Sequence, residues 1–303
     1  MSDFLFKASV ILYSKTMKTT LLLILFFSIA LSASAQQNSF DYFGLPSPED
    51  KIELFAPGIV SLENTKEYSL AVSPVGDEVF FATGTWPECK IMHVKKMESG
   101  WSKPEVAFFS RDCFAVEPAF SPDGKYLYFS SSKGEKDIKQ YSIRRMEKAG
   151  NKWVNAKKII DITNPDILEF HPSITNEGTI YFCAWDLKTN KGSIYKSDYL
   201  NGVYSEPAKE NVPFEGNCSV TNPFVDPAGK FIITSTEVEN SKSKYDAFIS
   251  YRNKEGWAKP VNFGKRFNSS EVDDSFDISP DGKFLFIYKN DNVYRTETKG
   301  VIQ

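Results

Sequence analysis

Five short stretches of this chain share one design: a few residues of strand character, a four-residue polar turn, and a run of aromatic and branched residues. The clearest is VEPAFSPDGKYLYFSSS, Val116 to Ser132. Pro122 presets φ for the first central position of a tight turn, and Asp123 and Gly124 tolerate left-handed backbone. The run Tyr126-Leu127-Tyr128-Phe129 is too short and too aromatic for a helix, so the unit is predicted to be a β-hairpin. The same pattern recurs around Gly76, Gly178, Gly229 and Gly282. The glycines stand about fifty residues apart, a period that radial repeat architectures produce.

Within each period a third β-prone run follows the hairpin, as at Lys90 to Val94, Gln140 to Ile143, Ser193 to Ser197 and Ala247 to Tyr251. An aromatic marker follows in turn: Trp101-Ser-Lys-Pro104, Trp153, Tyr204-Ser-Glu-Pro207 and Trp257-Ala-Lys-Pro260. Four strands per period make one propeller blade. The expected fold is therefore all-β, a β-propeller of five four-stranded blades. The fifth hairpin has a third strand at Asn292 to Arg295 but no Trp marker after it. The N-terminal run Ile52 to Phe55 is expected to supply the missing strand, closing the last blade and removing an exposed sheet edge.

The hairpin resembles the WD-like repeat of TolB-type propellers, whose consensus is an aromatic residue, Ser-Pro-Asp-Gly-Lys and an aromatic strand. The likeness covers all five hairpins, from about residue 67 onward, and is strongest at Phe120 to Phe129 and Ile278 to Phe286. The third and fourth units depart from it, with Thr175-Asn-Glu-Gly178 and Asp226-Pro-Ala-Gly229 in the turn. The resemblance implies a propeller fold and a periplasmic or secreted binding role. It carries no active site across, because the matching residues build turns.

Residues 1–35 read as a signal peptide, with Met17 as an alternative start: Lys18 precedes an apolar run from Leu21 to Leu31, and Ser32-Ala-Ser-Ala35 ends it with small residues. A membrane span would need about 20 apolar residues, so no span is expected in the mature chain, residues 36–303, which reads as a single monomeric propeller. The formal net charge of −3 and the scattered lysines give no basic face, which excludes nucleic acid as the expected partner. Four cysteines in an exported chain raise the question of disulfides. Cys89 to Cys113 is the preferred pairing, because the two loops that carry them should share a channel mouth; four free thiols remain the equal alternative. Two histidines and the lack of any Cys-x-x-Cys pair disfavour zinc. No metal and no other cofactor is expected.

A propeller's innermost strands surround a central channel. Aligning the units on the turn brings Ser69, Glu117, His171, Asn222 and Ser275 to one level. Two residues earlier, on the same strand face by the period of two, stand Glu67, Ala115, Glu169, Val220 and Asp273. Glu67, Glu117, Glu169, His171, Asn222 and Asp273 are thus candidate ligand-binding residues at one mouth. Trp86 and Trp185, which do not recur with the repeat, are expected in loops at that mouth, where aromatic faces suit sugar rings. Trp101, Trp153 and Trp257 recur and are expected to pack between blades, and His93 to be structural. No nucleophile elbow, phosphate loop or dinucleotide fingerprint is present, and no catalytic residue is assigned. The expected function is noncatalytic binding of a protein or glycan ligand at the channel mouth. The alternative is a five-bladed carbohydrate-active enzyme, a glycoside hydrolase or lyase, using carboxylates there.

Overall fold

The computed structural model describes residues 42–132, 141–160, 162–237, 245–269 and 273–302. The signal-peptide stretch lies outside them. Each of the five hairpins opens an antiparallel sheet, and together they form a five-bladed propeller. The innermost strands are Glu67–Val72, Ala115–Phe120, Ile167–Ile174, Ser219–Val225 and Asp273–Ile278. Their partners across the turn are Glu78–Thr83, Tyr126–Ser131, Ile180–Asp186, Phe231–Glu237 and Phe284–Lys289. Third strands follow at Lys90–Met97, Ser142–Ala149, Lys191–Ser197, Asp246–Asn253 and Asn292–Glu297. The short outer strands carry the aromatic markers or flank them.

All five turns have one geometry, including the two whose sequence departs from Ser-Pro-Asp-Gly. In each, the glycine N–H donates to the carbonyl three residues back, from Gly76 to Ser73 (2.8 Å) through Gly178 to Thr175 (2.9 Å) to Gly282 to Ser279 (2.8 Å). The glycines have φ between 69° and 84°, a region where a side chain costs about 1–2 kcal/mol. That requirement explains why Gly178 survives where Pro and Asp do not.

The ring closes as the strand count requires. Glu53–Leu54 pairs antiparallel with the third strand of blade five, Glu53 opposite Arg295 and Leu54 opposite Tyr294. Arg295 is fully buried, donating to Pro46 O and ion-paired to Glu53 Oε1 at 2.7 Å. Phe55 beside it is also fully buried and packs on Phe286, with ring centroids 5.0 Å apart.

Five apolar clusters fill the interfaces between successive blades. Trp153 lies in the cluster between blades one and two, and Trp257 in that between blades three and four. The two indole N–H groups donate to Glu78 (3.1 Å) and Glu210 (2.8 Å). Trp101 packs on Phe43 and the seam where the ring closes. His93 lies flat on Phe80, centroids 4.2 Å apart and planes 7° apart, with Nε2 4.0 Å from the buried Glu78. A sixth cluster follows no interface. It joins Ala82, Cys89, Val116, Tyr141 and Leu168 with Tyr68, Phe114, Phe170 and Trp185, at the channel end away from the turns.

Candidate functional site at the channel mouth

Every innermost strand carries one extra residue, at the same level in the first four blades and one position earlier in the fifth. The pairing slips between Tyr68 and Leu70, Val116 and Ala119, Phe170 and Ser173, Thr221 and Phe224, and Asp273 and Ser275. These are β-bulges, and they leave Ser69, Glu117, His171 and Asn222 with φ of 21°, 57°, 55° and 48°. In three blades a proline follows, Pro118, Pro172 or Pro223, where the ladder is already broken and an N–H would go unused.

The bulge reverses the side-chain alternation above it. Tyr68, Val116, Phe170 and Thr221, next to the bulge ring, face the mouth, as do Phe114 and Leu168 one pair earlier. The expectation that Glu67 and Glu169 face it is therefore corrected, since both project toward the blade interfaces. Glu169 is 3% exposed and accepts backbone N–H groups from Ile143 (3.2 Å) and Ile162 (2.9 Å). Glu67 is 1% exposed and takes a hydrogen bond from Thr65 Oγ1, and burial raises its carboxyl above the usual carboxylate range. Serines play the part of Glu169 in two other blades, Ser110, before its innermost strand, for Ile91 N–H and Ser219, the first residue of its innermost strand, for Gly192 N–H. The side chain of Asp273 lies outside the described residues.

What does converge is a cavity of about 450 Å³. Its floor is the bulge ring, Ser69, Glu117, His171, Asn222 and Ser275; its walls include Tyr68, Trp86, Phe114, Phe170, Trp185 and Leu187. Trp86 is 45% exposed and stands edge-on to Phe114 at 4.3 Å, while Tyr141 backs the wall between Phe114 and Phe170. Trp185 is in the second strand of blade three, opposite Leu168, and not in a loop. Both nonrepeating tryptophans thus line the mouth by different routes.

The floor is tied together around the axis. A bulged strand frees backbone N–H groups that, once buried, need a partner, and the preceding blade supplies it. Glu117 N–H donates to Ser69 Oγ (3.1 Å), and His171 N–H to Glu117 Oε2 (2.7 Å). Val225 N–H donates to Ser173 Oγ (2.8 Å) and Leu70 N–H to Tyr288 Oη (2.6 Å). Glu117 Oε1 also lies 3.6 Å from His171 Nδ1. A carboxylate has further lone pairs to offer, so this structural task leaves Glu117 able to take a ligand hydroxyl.

The preferred cysteine pairing is also corrected: Cys89 and Cys113 are not joined in a disulfide. Cys89 lines the mouth, whereas Cys113 turns toward the interface of blades one and two, its Sγ 3.3 Å from Phe109 O and 3.6 Å from Ser131 Oγ. Burial, and secondarily the charge of Glu117, pushes the Cys89 thiol up to about 11. Among the described residues no group of His, Cys, Asp and Glu is arranged to hold a metal ion.

The aromatic wall was legible as two odd tryptophans, but Phe114, Leu168 and Phe170 were not. The available signal was the proline inside a strand pattern, which marks a bulge and hence a change of face.

No protein-family model matches the chain, and no curated protein matches it. Solved structures do. TolB of Acinetobacter baumannii superposes with a TM-score of 0.50 at 19% identity, over 76% of this chain and 54% of its own. This chain thus spans about half the length of that TolB. An arabinanase of Bacillus subtilis gives a TM-score of 0.47 at 10% identity, over 77% of this chain and 93% of its own. Identities this low concern the fold alone, which is that of a TolB-like propeller.

Proposed function

We propose that the protein is an exported, noncatalytic propeller that binds a glycan or protein ligand at the bulged mouth of its channel, with a sugar ring as the preferred occupant. The observation that carries this reading is the cavity in which Trp86, Trp185, Phe114 and Phe170 stand over a ring of hydroxyl, amide, imidazole and carboxylate groups. A sugar has an apolar face for the wall and hydroxyls for the floor. A volume of about 450 Å³ is within the range of small-ligand sites. Hydrolysis of a glycosidic bond would use two carboxylates across the ligand; among the described residues lining the cavity, Glu117 is the one carboxylate. This favours binding over the enzymatic reading. Export rests on the apolar Leu21–Leu31 run and the small residues after it. Among the described residues no helix is long and apolar enough to cross a membrane.

The test is a glycan and envelope-protein binding screen on the secreted form, repeated with Trp86→Ala and Glu117→Gln. A bound glycan should lose about two- to tenfold in affinity in Trp86→Ala, since aromatic contacts of this kind contribute about 0.5–1.5 kcal/mol. Binding that survives both substitutions unchanged would move the site off the mouth. Glycan cleavage abolished by Glu117→Gln would replace the binding reading with the enzymatic one.

A further inference from the structure

The channel has a second mouth, on the side of the five turns, and it opens into a cavity of about 740 Å³. Two residues beyond the bulge ring, the same five strands present Ala71, Ala119, Ser173, Phe224 and Asp277 to it. Four members of this ring are small or apolar, and Ser173 Oγ is occupied by Val225 N–H. The fifth is a carboxylate. The wall around it is apolar, with Leu70, Ile174, Phe231, Ile278 and Phe286 among the lining residues, and turn prolines at the rim.

Two other carboxylates line this end, and both have turn-building tasks. Asp226 Oδ2 accepts the N–H groups of Ala228 and Lys230, each at 3.1 Å. Asp281 Oδ1 accepts from Tyr42 Oη, Ser279 Oγ and Lys283 N–H. Asp277 caps nothing. Its hydrogen bond among the described residues comes from Tyr288 Oη, 2.9 Å from Oδ2, and Tyr288 is itself held by Leu70 N–H. Burial raises the Asp277 carboxyl above the usual carboxylate range. The nearby imidazole of His171 and the Tyr288 hydroxyl oppose that shift, and the charge of Glu117 adds to it. Asp277 is half-buried, so it is open to the cavity while largely shielded from water. A carboxylate so placed among apolar groups is stabilised by a cation brought to it, with the apolar wall covering the body of whatever carries that cation.

We propose that this second mouth binds a primary ammonium group on an apolar stem, with Asp277 as its counter-ion and Phe224 and Phe231 beside the stem. A free alkylamine and a lysine side chain of a peptide share this chemistry. The site does not depend on the ligand of the opposite mouth.

The experiment is calorimetric titration of the purified protein at pH 7 with n-hexylamine, hexan-1-ol and the peptide acetyl-Gly-Lys-Gly-amide. Hexylamine should bind saturably and at least tenfold more tightly than hexanol. Asp277→Asn keeps an acceptor for Tyr288, and should remain folded by circular dichroism while losing at least tenfold in hexylamine affinity. Trp86→Ala should bind hexylamine as wild type does, which separates this site from the first mouth. Peptide binding within tenfold of hexylamine would assign the site to lysine side chains. Its absence alongside hexylamine binding would assign the site to free amines. No hexylamine binding at millimolar concentration, equal binding of hexanol, or unchanged binding in folded Asp277→Asn would each overturn the proposal.

Discussion

The two ends of the channel are built from the same five strands and differ in what the repeat is allowed to vary. At the turn end the chain restates one solution, a glycine at φ near 70° preceded by a side chain or carbonyl that caps the hairpin. At the bulged end every strand breaks its ladder at or one residue before one level, and the residue at that level changes from serine to glutamate, histidine, asparagine and serine. Repeated chemistry therefore marks scaffold, and chemistry that departs from the repeat marks a candidate site. Asp277 is the case that crosses this division, a nonrepeated carboxylate in a ring of small and apolar residues at the repetitive end.

The largest effect should come from the seam that both mouths share. Phe55→Ala removes a fully buried ring packed on Phe286, and should lower urea-unfolding stability by about 3–5 kcal/mol. A loss under about 1 kcal/mol would mean that the N-terminal strand contributes little to closing the ring.

At the turn end, Gly124→Val places a branched side chain at φ 71° and should cost about 1–2 kcal/mol while leaving ligand affinity at the bulged mouth unchanged. Altered affinity in that variant would break the separation between scaffold and site.

Asp277→Asn sharpens the exception. Because burial raises this carboxyl in the folded protein, the native state holds more protons than the unfolded chain between the ordinary carboxyl range and the raised value. Wild-type stability consequently falls as pH rises through that window. The variant cannot ionise, so it should melt higher than wild type at pH 7, with the difference vanishing by about pH 3. The groups facing Asp277 are His171, Glu117 and Tyr288, and they are unaltered in the comparison. A lower melting temperature at pH 7 would show that the carboxylate is well compensated in the free protein.

The smallest effect concerns Cys89, whose thiol is pushed up to about 11 by burial and by Glu117. At pH 8 its alkylation by iodoacetamide, followed by mass spectrometry, should run at least about a hundredfold slower than in the urea-unfolded chain. Glu117→Gln should speed it several-fold. A native rate equal to the unfolded one would place Cys89 in open solvent.

Much of the architecture is legible in the sequence, for reasons visible in single residues. Turn chemistry is local: Pro122, Asp123 and Gly124 act within four residues, so the hairpins, their period and the blade count were accessible. The closing strand followed from counting strands against markers, and Glu53 opposite Arg295 bears this out. The site was only partly readable. Glu117, His171 and Asn222 were placed at the mouth because they sit at the same distance from the turn as the bulge itself. Glu67 and Glu169 were misplaced because a regular period of two was carried through a position where one extra residue flips it.

The sequence by itself therefore determined the repeat, the turns, the ring of five blades and the identity of the residues that break the pattern. All of these depend on backbone preferences that act over a few residues and are restated five times. Only the tertiary structure decided which way those exceptional residues face. A bulge is stabilised by hydrogen bonds from the neighbouring blade, such as His171 N–H to Glu117, and that contact joins residues far apart in the chain. The same is true of Phe114 and Phe170 meeting Tyr141 in one wall, and of Asp277 standing among the apolar residues of four other strands.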